Sequence, residues 1–434
     1  MWKNIFLFSV PLMLSQLLEV MFNLSDVAVV GKFADYKALG AVGSTTLLVS
    51  LFVGFLIGMG SGVNVQVALG LGARDKRNVE QTIHTSLILC FIVGMAACIL
   101  CFVLARPVLT LMKTKEDLLE QAVLYLRIYA LGLPGMAVYN FGNGVMSAGG
   151  DTRRPLVYLS IAGILNVLLN LFFVIVMHLA AAGVAIASVI AQYVSAVLII
   201  ANLLRREDEC NLSVRKIRLH KDAAKSVLLI GLSTGIQNAI FAIANLFVQM
   251  GVNSFDTVMV SGNSAANADT VIFNILNAFY TACASFIGQN RGAGKKERMK
   301  KSYFISLFYG AGVAALAGGV LLLSGRQFLS LFANNTEVID AGMQRLRIMG
   351  FSFVMAPFMD CTIAASRGLG KSVVPTIIVV MGSCVFRVIW IYTVFAYFHT
   401  IPSLYLLYIF SWTITAVAEG IYFSIVYKKT VHRM

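Results

Sequence analysis

Apolar runs long enough to cross a bilayer recur along the whole chain, and they constrain its fold more than any other feature. A transmembrane helix needs about 20 consecutive apolar residues. Twelve such stretches can be marked, at roughly 4–30, 44–71, 84–106, 119–147, 156–177, 182–204, 224–251, 257–288, 302–324, 338–365, 373–396 and 404–427. The expectation is an all-α integral membrane protein of twelve transmembrane helices. Composition agrees: 59% of residues are hydrophobic and 12% charged, against about 45–50% and about 25% in soluble domains. No large soluble domain fits between the runs.

The net charge of +14 does not require nucleic acid, because Lys and Arg collect in loops. With Lys3 inside, the same side carries Arg74, Lys76 and Arg77, the basic stretch from Arg205 to Lys225, Lys295 to Lys301, Arg367, Lys371 and Lys428 to Arg433. The other side carries few, among them Lys32, Lys37, Arg106, Lys113, Lys115 and Arg326. The bias predicts cytoplasmic termini in a cell inner membrane. The apolar start after Met1-Trp2-Lys3 is long, carries Glu19 and Asp26, and reads as a retained helix rather than a cleaved signal. The polar stretch after Arg205 reads as a solvated cytoplasmic linker, which divides the chain into 1–204, a linker 205–223, and 224–434.

The first run holds a polar stripe. Gln16, Glu19, Asn23 and Asp26 are spaced by three, four and three residues and share one helical face. An ionised carboxylate within a span costs about 2.5–3.5 kcal/mol on insertion scales. Two on one face predict that the helix lines something polar.

An internal repeat runs at a constant offset of 220 residues. It pairs Gly31 with Gly251, Gly72-Ala73 with Gly292-Ala293, Arg106 with Arg326, Leu109 and Leu111 with Leu329 and Leu331, Leu126-Arg127-Ile128 with Leu346-Arg347-Ile348, Gly150 with Gly370, and Pro155 with Pro375. Each half holds six spans, so the halves are parallel repeats about an axis along the membrane normal. Transporters use that architecture; a scaffold or receptor has less need of it. The halves differ in chemistry. The stripe positions fall on Ile236, Ala239, Ile243 and Leu246, while the second half offers amides instead: Asn238, Asn245 and Gln249 in its first span, then Asn263, Asn267 and Asp269. An ion-coupling site is therefore expected in the first half, with Gln16, Asn23, Asn238, Asn245 and Gln249 as candidate substrate-lining residues.

Other residues support plainer readings. Seven cysteines sit mostly inside apolar runs without disulfide or zinc spacing and read as small buried hydrophobes. Arg127 and Arg347 are repeat mates and read as structural. Arg387 has no mate and needs a partner, for which Asp360 and Glu419 are candidates. Gly58, Gly60 and Gly62 allow close helix approach. There is no HExxH, no phosphate-binding GxxxxGK[ST] and no CxxC, so neither an enzyme nor direct ATP drive is expected, and no cofactor beyond a coupling ion.

These residues resemble the multidrug and toxic compound extrusion (MATE) family, in its bacterial DinF-like and NorM-like branch. The matching stretches are Pro11, the run Asn23-Leu24-Ser25-Asp26 to Gly31, Gly70-Leu71-Gly72-Ala73, the run SFIGQNRGAG from Ser285 to Gly294, and Arg367-Gly368-Leu369-Gly370. The resemblance implies two lobes around a central cavity and export of organic cations coupled to H⁺ or Na⁺. It assigns the family's functional aspartate to Asp26. The family's Asn and Asp in the fifth helix fall on Asn166 and Asn170, so one carboxylate is replaced by an amide. Glu19, on the Asp26 face, is the residue the stripe offers for the missing acid. Na⁺ ligation would use Asp26, Asn166 and Asn170; no other metal is expected.

The expected function is a secondary antiporter that exports small organic cations in exchange for H⁺ or Na⁺ by rocking of two lobes, acting as a monomer in the lipid bilayer. The alternative is a flippase of a lipid-linked saccharide, which would want a basic cavity and often more helices.

Overall fold

A computed structural model describes residues 1–34, 36–112, 114–266, 270–330 and 335–434; Lys113, Asn267, Asp269 and Leu331 lie outside them. In chain order the helices are α1 (Trp2–Phe33), α2 (Tyr36–Ala73), α3 (Lys76–Leu111), α4 (Glu116–Ala130), α5 (Leu133–Ala148), α6 (Arg153–Leu171), α7 (Ala180–Arg205), α8 (Lys221–Val252), α9 (Thr257–Ala266), α10 (Thr270–Gly292), α11 (Lys296–Ser330), α12 (Thr336–Ser352), α13 (Ala356–Gly368), α14 (Val373–Val379), α15 (Phe386–Trp390), α16 (Ala396–Phe398) and α17 (Ile401–Arg433). No strand occurs among the described residues. Among the described residues, ten helical segments are long and apolar enough to cross a membrane, or twelve when two bent pairs each count as one span. The twelve expected spans are thereby accounted for.

The bent pairs are a refinement. The expected spans 119–147 and 338–365 each break in the middle, α4 to α5 by 42° and α12 to α13 by 44°. Proline causes both: Pro134 and Pro357 each stand at the start of the second segment, where the missing N–H costs nothing but the preceding helix cannot continue through.

The repeat is visible in three dimensions. Arg106 pairs with Glu120 and Arg326 with Asp340, the same ion pair at the same offset. Left-handed backbone occurs at the matching turn positions Arg74 and Gly294, and again at Gly150 and Gly370. A π turn follows each corresponding helix, Phe172–Val176 after α6 and Ile391–Phe395 after α15.

Two compact units form, one of Leu14–Ala239 and one of Met1–Met13 with Ile240–Met434. The dividing points fall inside α1, just past Pro11, and inside α8, whereas the repeat halves run 1–204 and 224–434. In the first unit Val30, Val63, Val67, Ile83, Leu126 and Phe141 belong to one continuous core. In the second, Leu276, Leu346, Met359, Phe353 and Leu404 form another, while Ile5, Phe8 and Leu12 of α1 pack with Ala278, Ala282 and Ile305. All seven cysteines are buried and unpaired.

Close packing in the first unit depends on glycine. A Cβ at Gly58 would lie 2.3 Å from Gly235 N, and one at Gly62 would lie 2.6 Å from Gly231 N. The Gly58/Gly62 spacing on α2 thus meets the Gly231/Gly235 spacing on α8 backbone to backbone. Elsewhere large apolar side chains remain uncovered. Ile92, Ile99 and Val103 on α3 are 55%, 59% and 60% exposed, as a face in contact with lipid requires.

The segment between α7 and α8 is docked rather than freely solvated. Ser213 N–H donates to His84 Nε2 at 3.0 Å, His220 N–H donates to Thr85 Oγ1 at 3.0 Å, and Lys216 pairs with Glu80 at 2.7 Å. Its own Cys210 and Leu212 are buried.

Candidate functional site

The helical period of α1 holds Gln16, Glu19, Asn23 and Asp26 on one face. α6 contributes Asn166 and Asn170, four residues and one turn apart on its own inward face, and both are buried. α1 and α6 approach closely because position 163 is glycine: an added Cβ would stand 1.8 Å from the Phe22 ring. That approach brings three of the expected residues together.

Asn170 Nδ2 donates to Asp26 Oδ1 at 2.5 Å. With the Asn166 amide oriented to satisfy both its ends, its Nδ2 donates to the same Asp26 oxygen at 2.8 Å and its Oδ1 lies 3.3 Å from Ser188 N. The Ser188 hydroxyl, from α7, donates to Asp26 Oδ2 at 3.4 Å. Asn170 Oδ1 is left buried without a hydrogen-bond partner among the described residues. An orphaned buried acceptor beside a carboxylate is where a donor or a cation would be accommodated. The π turn begins two residues after Asn170, a placement common at functional sites.

The other expected residues are placed differently. Glu19 is seven residues from Asp26, about 10 Å along the helix, and makes no hydrogen bond among the described residues. It lies in electrostatic range of Tyr139 and Tyr129, and Asp26 in range of Tyr125 and Tyr129. Gln16 is half-buried and Asn23 exposed on the same helix. Asn238 donates to Gly54 O at 2.8 Å and ties α8 to α2. Gln249 donates to Asn253 Oδ1 at 2.9 Å.

Asn245 has a specific task. Its Oδ1 accepts from Arg387 Nη1 at 3.0 Å. The Arg387 guanidinium also lies over the rings of Tyr408 at 4.4 Å, Phe241 at 5.4 Å and Trp412 at 6.0 Å. Neither Asp360 nor Glu419 forms a salt bridge with it, so the partner of Arg387 is an amide and an aromatic cage rather than an acid. Cation–π contact stabilises a desolvated guanidinium without a buried anion. At the repeat positions of Asp26, Asn166, Asn170 and Ser188 stand Leu246, Phe386, Trp390 and Tyr408. The polar cluster of one half is thus an apolar and aromatic one in the other.

Ser188 and the three tyrosines were not singled out from sequence. Ser188, Gln192 and Ser195 do recur at helical spacing in an otherwise apolar run, which was the available signal. The site as built can hold a proton on Asp26, or a hard monovalent cation among its carboxylate, amide and hydroxyl oxygens.

Residues 11–172 and 233–393 match the MatE family model. The chain belongs to the MatE family. Among curated relatives of this MatE protein, YpnP of Bacillus subtilis, named a "probable multidrug resistance protein", is 25% identical over 352 residues, covering 81% of this chain and 79% of that one. NorM of Thermotoga maritima, named in the same words, is 22% identical over 392 residues, covering 87% and 82%. A solved MOP superfamily transporter from Pyrococcus furiosus superposes with a TM-score of 0.91 at 22% identity, covering 99% of this chain and 96% of that one. The MatE protein is therefore a multi-pass membrane protein of a transporter family with small-molecule substrates, and the expected resemblance is established.

Proposed function

We propose that this MatE protein is a secondary antiporter that exports small organic cations in exchange for H⁺ or Na⁺, with Asp26 as the coupling carboxylate. The observation that carries the reading is the cluster in which Asp26 is surrounded by Asn170, Asn166 and Ser188, with one buried amide oxygen left over. A carboxylate so placed is charged when empty and neutral when it holds a proton or monovalent cation. Its occupancy therefore biases which of two conformations is preferred. Full conversion of such an equilibrium needs roughly 5.5 kcal/mol of differential binding, and antiport follows when the exported cation biases the opposite step. The two six-helix halves rock to expose the sites alternately. The protein works as a monomer in the inner membrane with both termini cytoplasmic.

The test is efflux of a fluorescent organic cation from vesicles containing the purified protein, with pH and Na⁺ gradients imposed separately. Uptake or release driven by one gradient in the wild type and lost in Asp26→Asn supports the reading. Absence of cation movement under either gradient would overturn it in favour of the lipid-linked saccharide flippase.

A further inference from the structure

Glu419 on α17 has no solvent exposure, and neither of its carboxylate oxygens has a hydrogen-bond partner among the described residues. An ionised carboxylate in that condition is strongly disfavoured, whereas the neutral acid loses much less on burial. The charged and titratable groups around it are few. From α13, Arg367 lies in electrostatic range of Glu419, but no hydrogen bond joins them. The Arg367 guanidinium donates instead to Thr376 Oγ1 of α14 at 3.0 Å and to the Tyr280 hydroxyl of α10. Asp360, two turns earlier on α13, is in range of Arg367 and Arg387. Arg387 on α15 is held by Asn245 and its aromatic cage, with Cys384 of the π-helical segment Val380–Val385 in range of it. Arg345 of α12 bonds Tyr405 at the far end of α17. Tyr422 is on α17 itself. On the π turn after α15, Tyr392 is 64% exposed.

The internal repeat shows that packing does not ask for an acid here. The position equivalent to Glu419 is Ile199, also fully buried. The equivalents of Arg367 and Asp360 are Ser147 and Asn140. The second half has thus introduced an acid and a base together, where the first half fills the same places with uncharged side chains.

We propose that Glu419 is a second proton-binding carboxyl, protonated in the arrangement seen here and released to pair with Arg367 when α17 and α13 shift against each other. In that step the Glu419 O–H bond breaks, the proton passes to water, and the carboxylate charge is met by the Arg367 guanidinium; nothing is oxidised or reduced. The ligand is a proton and not a metal cation. The charge in electrostatic range is a guanidinium, which repels a cation, and no group of three or more His, Cys, Asp or Glu side chains that could hold a metal ion occurs among the described residues. Proton binding at Glu419 stands on this geometry; its use in transport rests on the antiport reading above.

Infrared difference spectra of the purified protein between neutral and alkaline buffer, without substrate, test the binding itself. The expected result is a carboxylic-acid C=O band that is present in the wild type and in Asp26→Asn and lost in Glu419→Gln. In Arg367→Met the band should persist into alkaline buffer, because the ionised form has lost its partner. Glu419→Ile, which restores the side chain of the first half, provides a second folded variant with the same expectation as Gln. A band unchanged in both Glu419 variants, or lacking in the wild type, overturns the proposal. In vesicles, Glu419→Gln should exchange fewer protons per exported cation while still moving it. Should the wild type move no cation while the infrared band behaves as described, the antiport reading falls and the proton site stands.

Discussion

Asn170 donates its amide hydrogen to Asp26 at 2.5 Å across 144 residues of sequence. The family resemblance leads one to expect an acid at position 170, and the amide there does what an ionised acid could not do: it donates to the Asp26 carboxylate without first taking up a proton. The site therefore keeps one formal charge, and Glu19 does not join it.

Asp26→Asn removes that charge while keeping the shape. With no carboxylate left to take up the coupling ion, gradient-driven efflux should be lost, a fall to the level of vesicles without protein. Initial rates in vesicles under each gradient measure it, and Glu19→Gln, outside the cluster, should be affected less.

Asn170→Ala keeps the carboxylate but removes its short donor and the orphaned oxygen. Half-maximal efflux should then need a higher concentration of Na⁺ where Na⁺ is the coupling ion, because an oxygen ligand is gone, and a lower concentration of H⁺ where it is the proton, because a donor that favours the bare carboxylate is gone. An unchanged ion dependence would remove Asn170 from the site.

Gly58→Leu should lower thermal stability in detergent, because its Cβ would start 2.3 Å from the α8 backbone at Gly235. Overpacking of this kind costs about 1–3 kcal/mol. Gly43→Ala, with nothing within 4 Å of its added Cβ, is the control and should melt with the wild type.

Asn245→Ala leaves Arg387 Nη1 without its side-chain acceptor in a buried setting, at a cost of about 1–3 kcal/mol. Arg387→Lys should be no milder, since an ammonium cannot stack flat between Tyr408 and Phe241. Differential scanning of both variants would show a lowered melting temperature; wild-type melting would mean the cage is not structural.

In the docked linker, Arg206 donates to both Asp208 oxygens, at 3.0 and 2.6 Å, and holds that carboxyl below the usual carboxylate range. A depressed carboxyl contributes stability above its unfolded value of about 3.9 and loses it as pH falls through the lower folded value. Cleavage of residues 206–220 by an acid-tolerant protease should accelerate in that window. Asp208→Asn should be cleaved faster at neutral pH and lose the acid dependence.

Much of the fold was legible because the signals are local. Runs of apolar residues mark spans whatever they pack against, and a constant 220-residue offset exposes the duplication that the Arg106–Glu120 and Arg326–Asp340 pairs later display. The breaks at Pro134 and Pro357 are missed by a reading of 119–147 and 338–365 as single spans, although proline acts on its own turn of helix and the signal is local. Of the candidate site, the polar face of α1 with Asp26 followed from spacing, while Asn166 and Asn170 on α6 came from the family resemblance.

Which inward faces meet was not legible. Spacing placed Glu19 and Asp26 on one stripe with equal claims and the family resemblance favoured Asp26; the approach of α6 at Gly163 is what puts two amides beside Asp26 and none beside Glu19. Charge alone nominated Asp360 and Glu419 for Arg387; the fold gives it Asn245 and three aromatic rings. A helix period determines what a residue faces outward from its own axis, within a few turns. What stands opposite depends on helices brought together from distant sequence, and hydrogen bonds of about 3 Å reach are decided only there.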